Sequence, residues 1–396
     1  MAVSKKAAAI APSVTLEISA KAKAMKASGK SIIAFTAGEP DFNTPAYIIE
    51  SAKNALDKGY TKYTPTSGIP ELKSAIVKKF SDENGLSYKE NQIVVSCGAK
   101  SSLFHALYAV IDDGDEVIIP APYWITYTEQ VSLCGGKSVI VETVFSTGYK
   151  MTASMLENAV TEKTKCLIIN SPCNPTGVVY SEKELNALAE VCEKRGLYVI
   201  SDEIYEKLIF DGNKHYSIAC ASEYMKEHTV VINGVSKTYS MTGWRIGYMA
   251  APLDIAKAVS NVQGHTTSNA NSIAQYASVT ALGGGKDFID SMRTEFYERR
   301  KLLTGELDEI GELTYIKPEG AFYVFVNITK LIGKSFNGSK ISGSVSFSDL
   351  LLGCGVAVIP GLAFGADDCI RLSYTVSKND IKEGLTRIKS FISSLN

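Results

Sequence analysis

Two charged residues stand eight positions apart in a segment that is otherwise uncharged. Lys237 and Arg245 are the only formally charged residues in the range 229–253, where the rest of the chain is apolar, small or hydroxylic. This composition indicates buried or half-buried chain, in which an unpaired ammonium group is costly. A lysine in such surroundings commonly has a lowered pKa and acts as a nucleophile. The segment therefore predicts a chemically active lysine with an arginine nearby.

Other residues that could take part in chemistry follow short β-branched runs that are typical of strands. They are Gly98, Ala99 and Lys100 after IVVS, Trp124 after VIIP, Asn174 after CLIIN, Asp202 and Tyr205 after LYVIS, and Lys237 after VVINGVS. Ligands of open α/β sheets bind at the carboxyl ends of the strands, so we expect these residues to share one crevice. Taken singly, each of these residues also has a purely structural interpretation: Asp202 could cap a helix, and Trp124 could pack in the core. Their joint occurrence favours a binding site.

The chemistry of this set indicates a cofactor. A lysine can attack a carbonyl group, a carboxylate can keep a ring nitrogen protonated, and a glycine turn that opens a helix can hold a phosphate. Pyridoxal phosphate needs all three partners, because its carbonyl carbon must be bonded, its ring kept electron-poor and its phosphate anchored. The residues therefore predict a pyridoxal 5'-phosphate site.

The segment GVSKTYSMTGWRIG, at 234–247, resembles the lysine signature of the class I pyridoxal-phosphate aminotransferases. Further segments that resemble motifs of this family, in the family's order, are AGEPDF at 37–42, YTPTSG at 63–68, NPTG at 174–177, SDEIY at 201–205 and RLSY at 371–374. Together they span nearly the whole chain. Within the family, the chain is most similar to the bacterial-type aspartate aminotransferases.

The resemblance implies that Lys237 bonds the cofactor and moves a proton at the substrate α-carbon, while Asp202 pairs with the pyridine nitrogen. The other cofactor contacts that it implies are Asn174 and Tyr205 at the phenolic oxygen, Trp124 against the ring, and Gly98, Ala99 and Arg245 at the phosphate. Tyr63 would reach the phosphate of a neighbouring subunit, which implies a homodimer with shared active sites. Many relatives carry a phosphate-binding serine where this chain has Gly234. The phosphate site is therefore either weaker or completed by another hydroxyl, such as that of Ser236.

The resemblance also implies how a substrate is bound. The substrate contacts that it implies are Gly38, Lys100, Trp124, Asn174, Arg371 and Thr15. Arg371 would hold the α-carboxylate in a bidentate fork. Lys100 would meet a distal carboxylate, and Thr15 would line the same part of the site. A cation at a helix start is otherwise unfavourable by up to ~1 kcal/mol, which favours an acidic ligand beside Lys100.

We therefore expect an aminotransferase that moves the amino group of L-aspartate, or a similar donor, to 2-oxoglutarate by ping-pong chemistry. An aromatic, alanine, kynurenine or prephenate aminotransferase of the same family remains an alternative. Relatives that aminate prephenate tend to carry a lysine where this chain has Ala11. A nicotinamide-dependent dehydrogenase would need G-x-G-x-x-G after an early strand, and a nucleotide-phosphate site would need G-x-x-x-x-G-K-[ST]. The sequence contains neither motif.

Between about residues 90 and 260, strand-like runs alternate with helical patterns, which predicts an α/β fold with a doubly wound, mostly parallel sheet. The resemblance implies fold type I of the pyridoxal-phosphate-dependent transferases. We expect a large cofactor-binding domain at 48–288 and a smaller α+β domain built from both chain ends, at 1–47 and 289–396. The Gly-, Ser- and Lys-rich range 333–346 is expected to be an exposed loop.

Composition narrows the functional classes further. The chain has 396 residues, with 45% apolar and 21% charged residues and a net charge of −1, which gives no electrostatic reason to bind nucleic acid or anionic membrane. Eight scattered cysteines without a C-x-x-C pair, and only four histidines, predict no metal site and a cytoplasmic protein with reduced thiols. No apolar run has the length of a membrane span. The expected partners are small amino acids, 2-oxo acids and a second copy of the chain.

Overall fold

The computed structural model describes residues 3–8, 10, 12 and 14–396. Its helices are α1 (Lys5–Ala8), α2 (Val14–Ala27), α3 (Ala46–Asp57), α4 (Pro70–Asn84), α5 (Ala99–Val110), α6 (Thr126–Leu133), α7 (Ala153–Ala159), α8 (Glu182–Arg195), α9 (Glu223–His228), α10 (Leu253–Thr266), α11 (Ser272–Leu282), α12 (Lys286–Asp308), α13 (Ser344–Gly353) and α14 (Lys378–Ser393). Its strands are β1 (Ile33–Ala34), β2 (Ile93–Ser96), β3 (Glu116–Ala121), β4 (Lys137–Glu142), β5 (Thr164–Asn170), β6 (Tyr198–Asp202), β7 (Thr229–Gly234), β8 (Gly247–Ala250), β9 (Thr314–Tyr315), β10 (Tyr323–Asn327), β11 (Ser335–Phe336), β12 (Ser339–Lys340), β13 (Val356–Ala357), β14 (Ile359–Pro360) and β15 (Cys369–Ser373). None of these helices combines the length and apolar character that a membrane span requires.

The large sheet of the described chain has seven strands in the order β2-β8-β7-β6-β5-β3-β4. Every neighbouring pair from β7 to β4 is parallel, which confirms the predicted mostly parallel sheet. β8 instead runs antiparallel to both β2 and β7. Strand β8 was not expected from the sequence, because its short GYMA run follows the Lys237 segment without an intervening helix.

Apolar side chains cover both faces of this sheet. Along β5, Cys166 and Ile168 pack in one cluster with α5, whereas Leu167 and Ile169 pack in another with α8. Side chains alternate along a strand, so a strand that is buried on both faces has a continuous apolar run, as CLII does. This two-sided burial holds the strand register and thereby fixes which residues meet at the edge of the sheet.

The register brings several polar residues to one edge, among them the predicted Asp202 and Lys237. Asn170 lies opposite Asp202 at the carboxyl ends of β5 and β6. Asp202 also lies opposite Ile232 on β7, two residues before that strand ends. The chain then turns and returns as β8. Lys237 and Arg245 both lie in this β7–β8 connection, at the same edge of the sheet.

A second sheet, of antiparallel strands in the order β14-β15-β10-β9, forms the predicted smaller α+β unit. One apolar cluster joins β10 and β15 to α12 and α14, and it includes Phe35 from near the N-terminus. β1 pairs with β13, so the two ends of the chain meet in this unit. Residues 48 and 288 fall inside α3 and α12, and the division of the chain at these positions stays a prediction.

The range 333–346 is not the simple loop that we expected. It contains the hairpin β11–β12, and α13 begins at Ser344. The two residues between the strands, Asn337 and Gly338, have φ angles of 47° and 80°. The dipeptide Asn-Gly favours this left-handed, two-residue hairpin turn. Its presence at 337–338 therefore already indicated a hairpin in this range.

Candidate active site

One cavity of about 290 Å³ brings most of the predicted site residues together. It lies at the carboxyl ends of β5 and β6, beside the β7–β8 connection. The predicted residues that line it are Thr15, Gly38, Ala99, Lys100, Trp124, Asn174, Asp202, Tyr205, Lys237, Arg245 and Arg371. Of the remaining two, Gly98 lies against the guanidinium of Arg245, whereas Tyr63 does not line the cavity of its own chain.

Asp202 presents a buried carboxylate to the cavity. The hydroxyl of Tyr127 donates to its Oδ2 at 2.8 Å, and the backbone amide of Ile204 donates to its Oδ1 at 3.3 Å. Burial raises the pKa of Asp202 to about 6, although both hydrogen bonds act in the opposite direction. A cationic N–H group in the cavity would favour the ionised form and offset the cost of burying it.

Lys237 is half-buried, and its Nζ donates a hydrogen bond to the carbonyl oxygen of Gly38 at 2.6 Å. Burial lowers the pKa of this ammonium group to about 8, against the opposing charge of Glu39. The charges of Arg245 and Arg371 add to the lowering. The neutral, nucleophilic amine is therefore well populated near pH 8, in line with the lowered pKa that the sequence predicts.

Two glycines allow the start of α5 to meet Arg245 and the start of β8. Gly98 has a φ of 88°, and a Cβ there would lie 2.5 Å from Nη2 of Arg245. A Cβ on Gly247 would lie 2.1 Å from the backbone nitrogen of Ala99. Any larger residue at either position would displace the helix start or the guanidinium, so the glycines hold these groups at one point of the cavity wall.

This part of the wall offers hydrogen-bond donors to an anion. The amide of Gly98 already donates to the carbonyl oxygen of Ser96, at 2.7 Å. The first amides of α5, from Ala99 and Lys100, have no carbonyl acceptor within the helix, as at any helix start. The cavity wall also includes Ser236, but not Gly234. A helix start, a guanidinium and a hydroxyl together fit a phosphate group.

Arg371 is buried and points its guanidinium at the cavity from β15. Its Nη1 donates to Oδ1 of Asn174 at 2.9 Å, and its Nη2 donates to the carbonyl oxygen of Thr36 at 3.1 Å. Its Nε is buried without a hydrogen-bond partner. A planar guanidinium with a free donor, held in place by two acceptors, is suited to a carboxylate ligand.

Lys100 and Thr15 line the cavity from two helices, α5 and α2. The ammonium of Lys100 lies 4.8 Å from the ring centroid of Trp124. Burial lowers its pKa, and the nearby charge of Arg245 adds to this effect. Thr15 accepts a hydrogen bond at its backbone oxygen from Ser19, at 2.8 Å. The cavity wall thus includes Lys100 as a cation separate from Arg371.

The cavity does not test two further predictions. Tyr63 is 91% exposed in the single chain. Its contact with a neighbouring subunit stays a prediction. Ala11, which bears on prephenate specificity, lies outside the described residues.

Several residues of the cavity wall were not expected from the sequence. The main ones are Thr36, Tyr127, Asn170, Thr242 and Tyr323. Tyr127 could have been found, because it follows Trp124 by three residues, at the start of a helical pattern. In the structure the two rings pack edge to face, 5.6 Å apart. Tyr323 carries the signal of a phenol in an otherwise apolar strand, which needs a buried partner for its hydroxyl.

Comparison with known proteins identifies the family. Residues 30–388 match the family model described as aminotransferase class I and II. The chain is 47% identical to the aspartate aminotransferase of Bacillus subtilis over 99% of both chains, and 45% identical to the aspartate/prephenate aminotransferase of Cereibacter sphaeroides over 98% of both. Its fold matches the crystal structure of the aspartate aminotransferase from Rhizobium meliloti with a TM-score of 0.96, 42% identity and full coverage of both chains.

A further solved structure, the aspartate aminotransferase from Thermus thermophilus with maleate, matches with a TM-score of 0.93 and 39% identity over 99% of this chain and 100% of that one. These matches confirm the predicted fold type I, with its large mostly parallel sheet. They also confirm the resemblance that the sequence motifs indicated. The chain belongs to the class I and II aminotransferase family and is an aminotransferase.

Proposed function

We propose that this aminotransferase uses pyridoxal phosphate to move the amino group of L-aspartate to 2-oxoglutarate in a ping-pong reaction. The observation that carries the proposal is the placement of Lys237 and Asp202 in one cavity with two separate cations, Arg371 and Lys100. Two cations suit a substrate with two carboxylates, and a lysine of lowered pKa suits carbonyl chemistry between them.

The residues present fit the cofactor. Asp202 is a buried carboxylate that a ring N–H would satisfy, and Tyr205 and Asn174 offer a hydroxyl and an amide beside it. Gly98, Ala99, Arg245 and Ser236 form the wall that we assign to the phosphate. Trp124 would lie against the ring. When bound, pyridoxal phosphate supplies an electron sink that stabilises negative charge at the substrate α-carbon.

Lys237 is assigned the covalent attachment and the proton transfer. Its lowered pKa of about 8 lets Nζ accept a proton from the α-carbon side and return it, near neutral pH. Positioned proton transfer of this kind typically contributes ~10²–10⁴-fold to the rate. Arg371 would orient the substrate by holding its α-carboxylate in a bidentate fork, next to the backbone of Gly38.

Specificity for an acidic side chain is assigned to Lys100 and Thr15. The two lie in the cavity on different helices, and relatives of high identity are named aspartate aminotransferases. Some relatives are named aspartate/prephenate aminotransferases, so amination of prephenate is a second candidate activity.

We further propose a homodimer in which Tyr63 completes the phosphate site of the partner subunit. The support is its 91% exposure and its absence from the cavity of its own chain. Analytical ultracentrifugation together with mixing of inactive variants would test this assembly. A Lys237→Ala chain and a Tyr63→Phe chain, mixed after unfolding, should regain one intact site per mixed dimer.

Steady-state kinetics test the substrate assignment. The purified protein, loaded with pyridoxal phosphate, is assayed with 2-oxoglutarate and a panel of donors: aspartate, alanine, tyrosine and kynurenine. Prephenate is assayed separately as an acceptor with aspartate as donor. We expect aspartate to give the highest kcat/KM among the donors. A donor without a side-chain carboxylate that exceeds aspartate would contradict the assignment of Lys100.

A further inference from the structure

Tyr323, on β10, contacts two residues that the proposed function assigns to different tasks. Its hydroxyl lies 2.9 Å from the hydroxyl of Tyr205, which we assign to the cofactor. Its ring centroid lies 4.3 Å from Cζ of Arg371, which we assign to the substrate carboxylate. Tyr323 is 1% exposed and lines the same cavity. The sequence motifs gave this residue no role.

Either hydroxyl could be the donor in the contact between Tyr205 and Tyr323, but the donor is fixed if Tyr205 donates its proton to another group. Burial raises the pKa of both phenols, so both carry their protons at neutral pH. If Tyr205 donates its only proton to an oxygen in the cavity, its own oxygen is left as an acceptor. Tyr323 is then the donor of the pair. Hydrogen bonds in such a chain polarise one another, so donation by Tyr323 strengthens donation by Tyr205.

The ring contact acts on Arg371. The guanidinium lies between the rings of Tyr323 and Phe364, with centroid distances of 4.3 and 5.0 Å. Its two Nη atoms are held by Asn174 and Thr36, so the rings and acceptors together define its plane. A cation over an aromatic face is stabilised further when water is excluded.

We infer that Tyr323 is a positioning residue with two separable effects. Its hydroxyl strengthens the hydrogen bond that Tyr205 donates toward the cofactor, and its ring holds Arg371 in the plane that receives the substrate carboxylate. The inference rests on the proposed function. The two effects are separable because one substitution removes the hydroxyl alone and another removes the ring.

The test compares Tyr323→Phe and Tyr323→Leu with a matched control, Tyr374→Phe. Tyr374 is also fully buried and donates its hydroxyl to a backbone carbonyl, that of Ala321 at 3.2 Å, outside the cavity wall. Each variant is loaded with pyridoxal phosphate. Three properties are measured: the pH titration of the bound cofactor's absorption, the Kd for succinate, and kcat and KM for aspartate. Succinate is a dicarboxylate without an amino group, so its binding reports on the carboxylate site alone.

For Tyr323→Phe we expect the absorption titration to shift upward by about 0.3–0.5 pH unit, because a weaker donor at the phenolic oxygen leaves it a better partner for the proton of the lysine–cofactor link. The kcat should fall about threefold, while the Kd for succinate stays within about twofold. For Tyr323→Leu the Kd for succinate should rise about 5–10-fold, as loss of a desolvated cation–aromatic contact predicts. Tyr374→Phe should behave as the wild type in all three measurements.

A Tyr323→Phe protein with the titration and kcat of the wild type would overturn the hydroxyl effect. A Tyr323→Leu protein that binds succinate as tightly as the wild type would overturn the ring effect. Either result leaves the proposed function standing, because the wild-type protein still transaminates aspartate. A wild-type protein that forms no absorption band with pyridoxal phosphate would overturn the proposed function and this inference with it, before any variant is compared.

Discussion

The side-chain ammonium of Lys237 donates to the carbonyl oxygen of Gly38 at 2.6 Å, although the two residues are 199 positions apart in the chain. The contact joins the N-terminal segment to the β7–β8 connection. Both residues line the cavity, so the amine and the backbone that we assign to the substrate carboxylate share one wall.

Replacing Lys237 with alanine should abolish transamination while leaving the fold intact. The half-buried amine is the group that we assign to proton transfer, and it lies at the cavity wall rather than in an apolar core cluster. We expect a rate loss of at least ~10²–10⁴-fold, with an unchanged circular dichroism spectrum. Lys73→Ala is the control: the pKa of Lys73 is also lowered by burial, but the residue lies outside the cavity. Turnover near that of the wild type in Lys237→Ala would refute the assignment.

The lowered pKa of Lys237 predicts how cofactor capture depends on pH. The neutral amine is the nucleophile, and burial lowers the pKa to about 8 from an ordinary value of 10.5. The rate at which the cofactor-free protein captures pyridoxal phosphate should therefore rise about tenfold per pH unit below pH 8 and level off above it. Stopped-flow absorbance measures this rate. A rise that continues to pH 10 would show that the amine has an ordinary pKa.

Lys100→Ala should raise the KM for aspartate by at least about tenfold and change the KM for an aromatic donor much less. The loss corresponds to a charge-assisted contact with the side-chain carboxylate, which only the acidic donor makes. Lys165→Ala is a matched control, because its ammonium also lies over an aromatic ring, 5.6 Å from the centroid of Tyr198, but away from the cavity. Equal effects of Lys100→Ala on both donors would remove Lys100 from the specificity site.

A buried ion pair outside the cavity should contribute to stability rather than to catalysis. Lys79 and Glu206 are in direct contact, with side chains 4% and 3% exposed. Lys79→Met removes the cation in direct contact with a buried carboxylate and should cost about 3–5 kcal/mol of unfolding free energy. Urea denaturation at pH 7 measures this loss. The neighbouring Lys78 has a side chain that is 77% exposed, and Lys78→Met should leave the midpoint unchanged.

The same pair predicts a pH dependence of stability. Burial alone would raise the pKa of Glu206, but the charges of Lys79, His215 and Lys207 outweigh it and lower the pKa to about 2. A carboxylate with a lowered pKa stabilises the folded state fully above its ordinary value of 4.5, and this contribution is lost as pH falls toward 2. The stability difference between wild type and Glu206→Gln should therefore shrink from pH 5 downward. A difference that stays constant to pH 3 would contradict the lowered pKa.

Much of the site could be predicted from sequence because of one physical rule. Parallel strands end at the same edge of a sheet, so Asp202, Asn174 and Lys237, which follow three apolar runs, had to lie near one another. Lys237 and Arg245 of the β7–β8 connection can also be recognised from their own segment, since charged residues are unusual in buried chain. The roles implied by family resemblance extended this list but stay proposals here.

The rest of the site depends on contacts that no local pattern reports. Arg371 donates to the carbonyl oxygen of Thr36, 335 positions away, and such an acceptor cannot be read from either segment alone. The antiparallel strand β8 was missed for a similar reason, because its place between β2 and β7 is set by tertiary packing. Tyr323 was not expected in the site because its segment has the pattern of a buried core strand. Only the fold shows that its hydroxyl is hydrogen-bonded to that of Tyr205.

The most direct test of the central claim is the absorption spectrum of the protein loaded with pyridoxal phosphate, recorded before and after addition of L-aspartate. We predict a visible band from the lysine-bound cofactor that disappears with aspartate and returns with 2-oxoglutarate, since each addition completes one half of the reaction. A band that persists with aspartate but disappears with another amino acid would contradict the acidic specificity. The absence of any band would contradict the role of Lys237 itself.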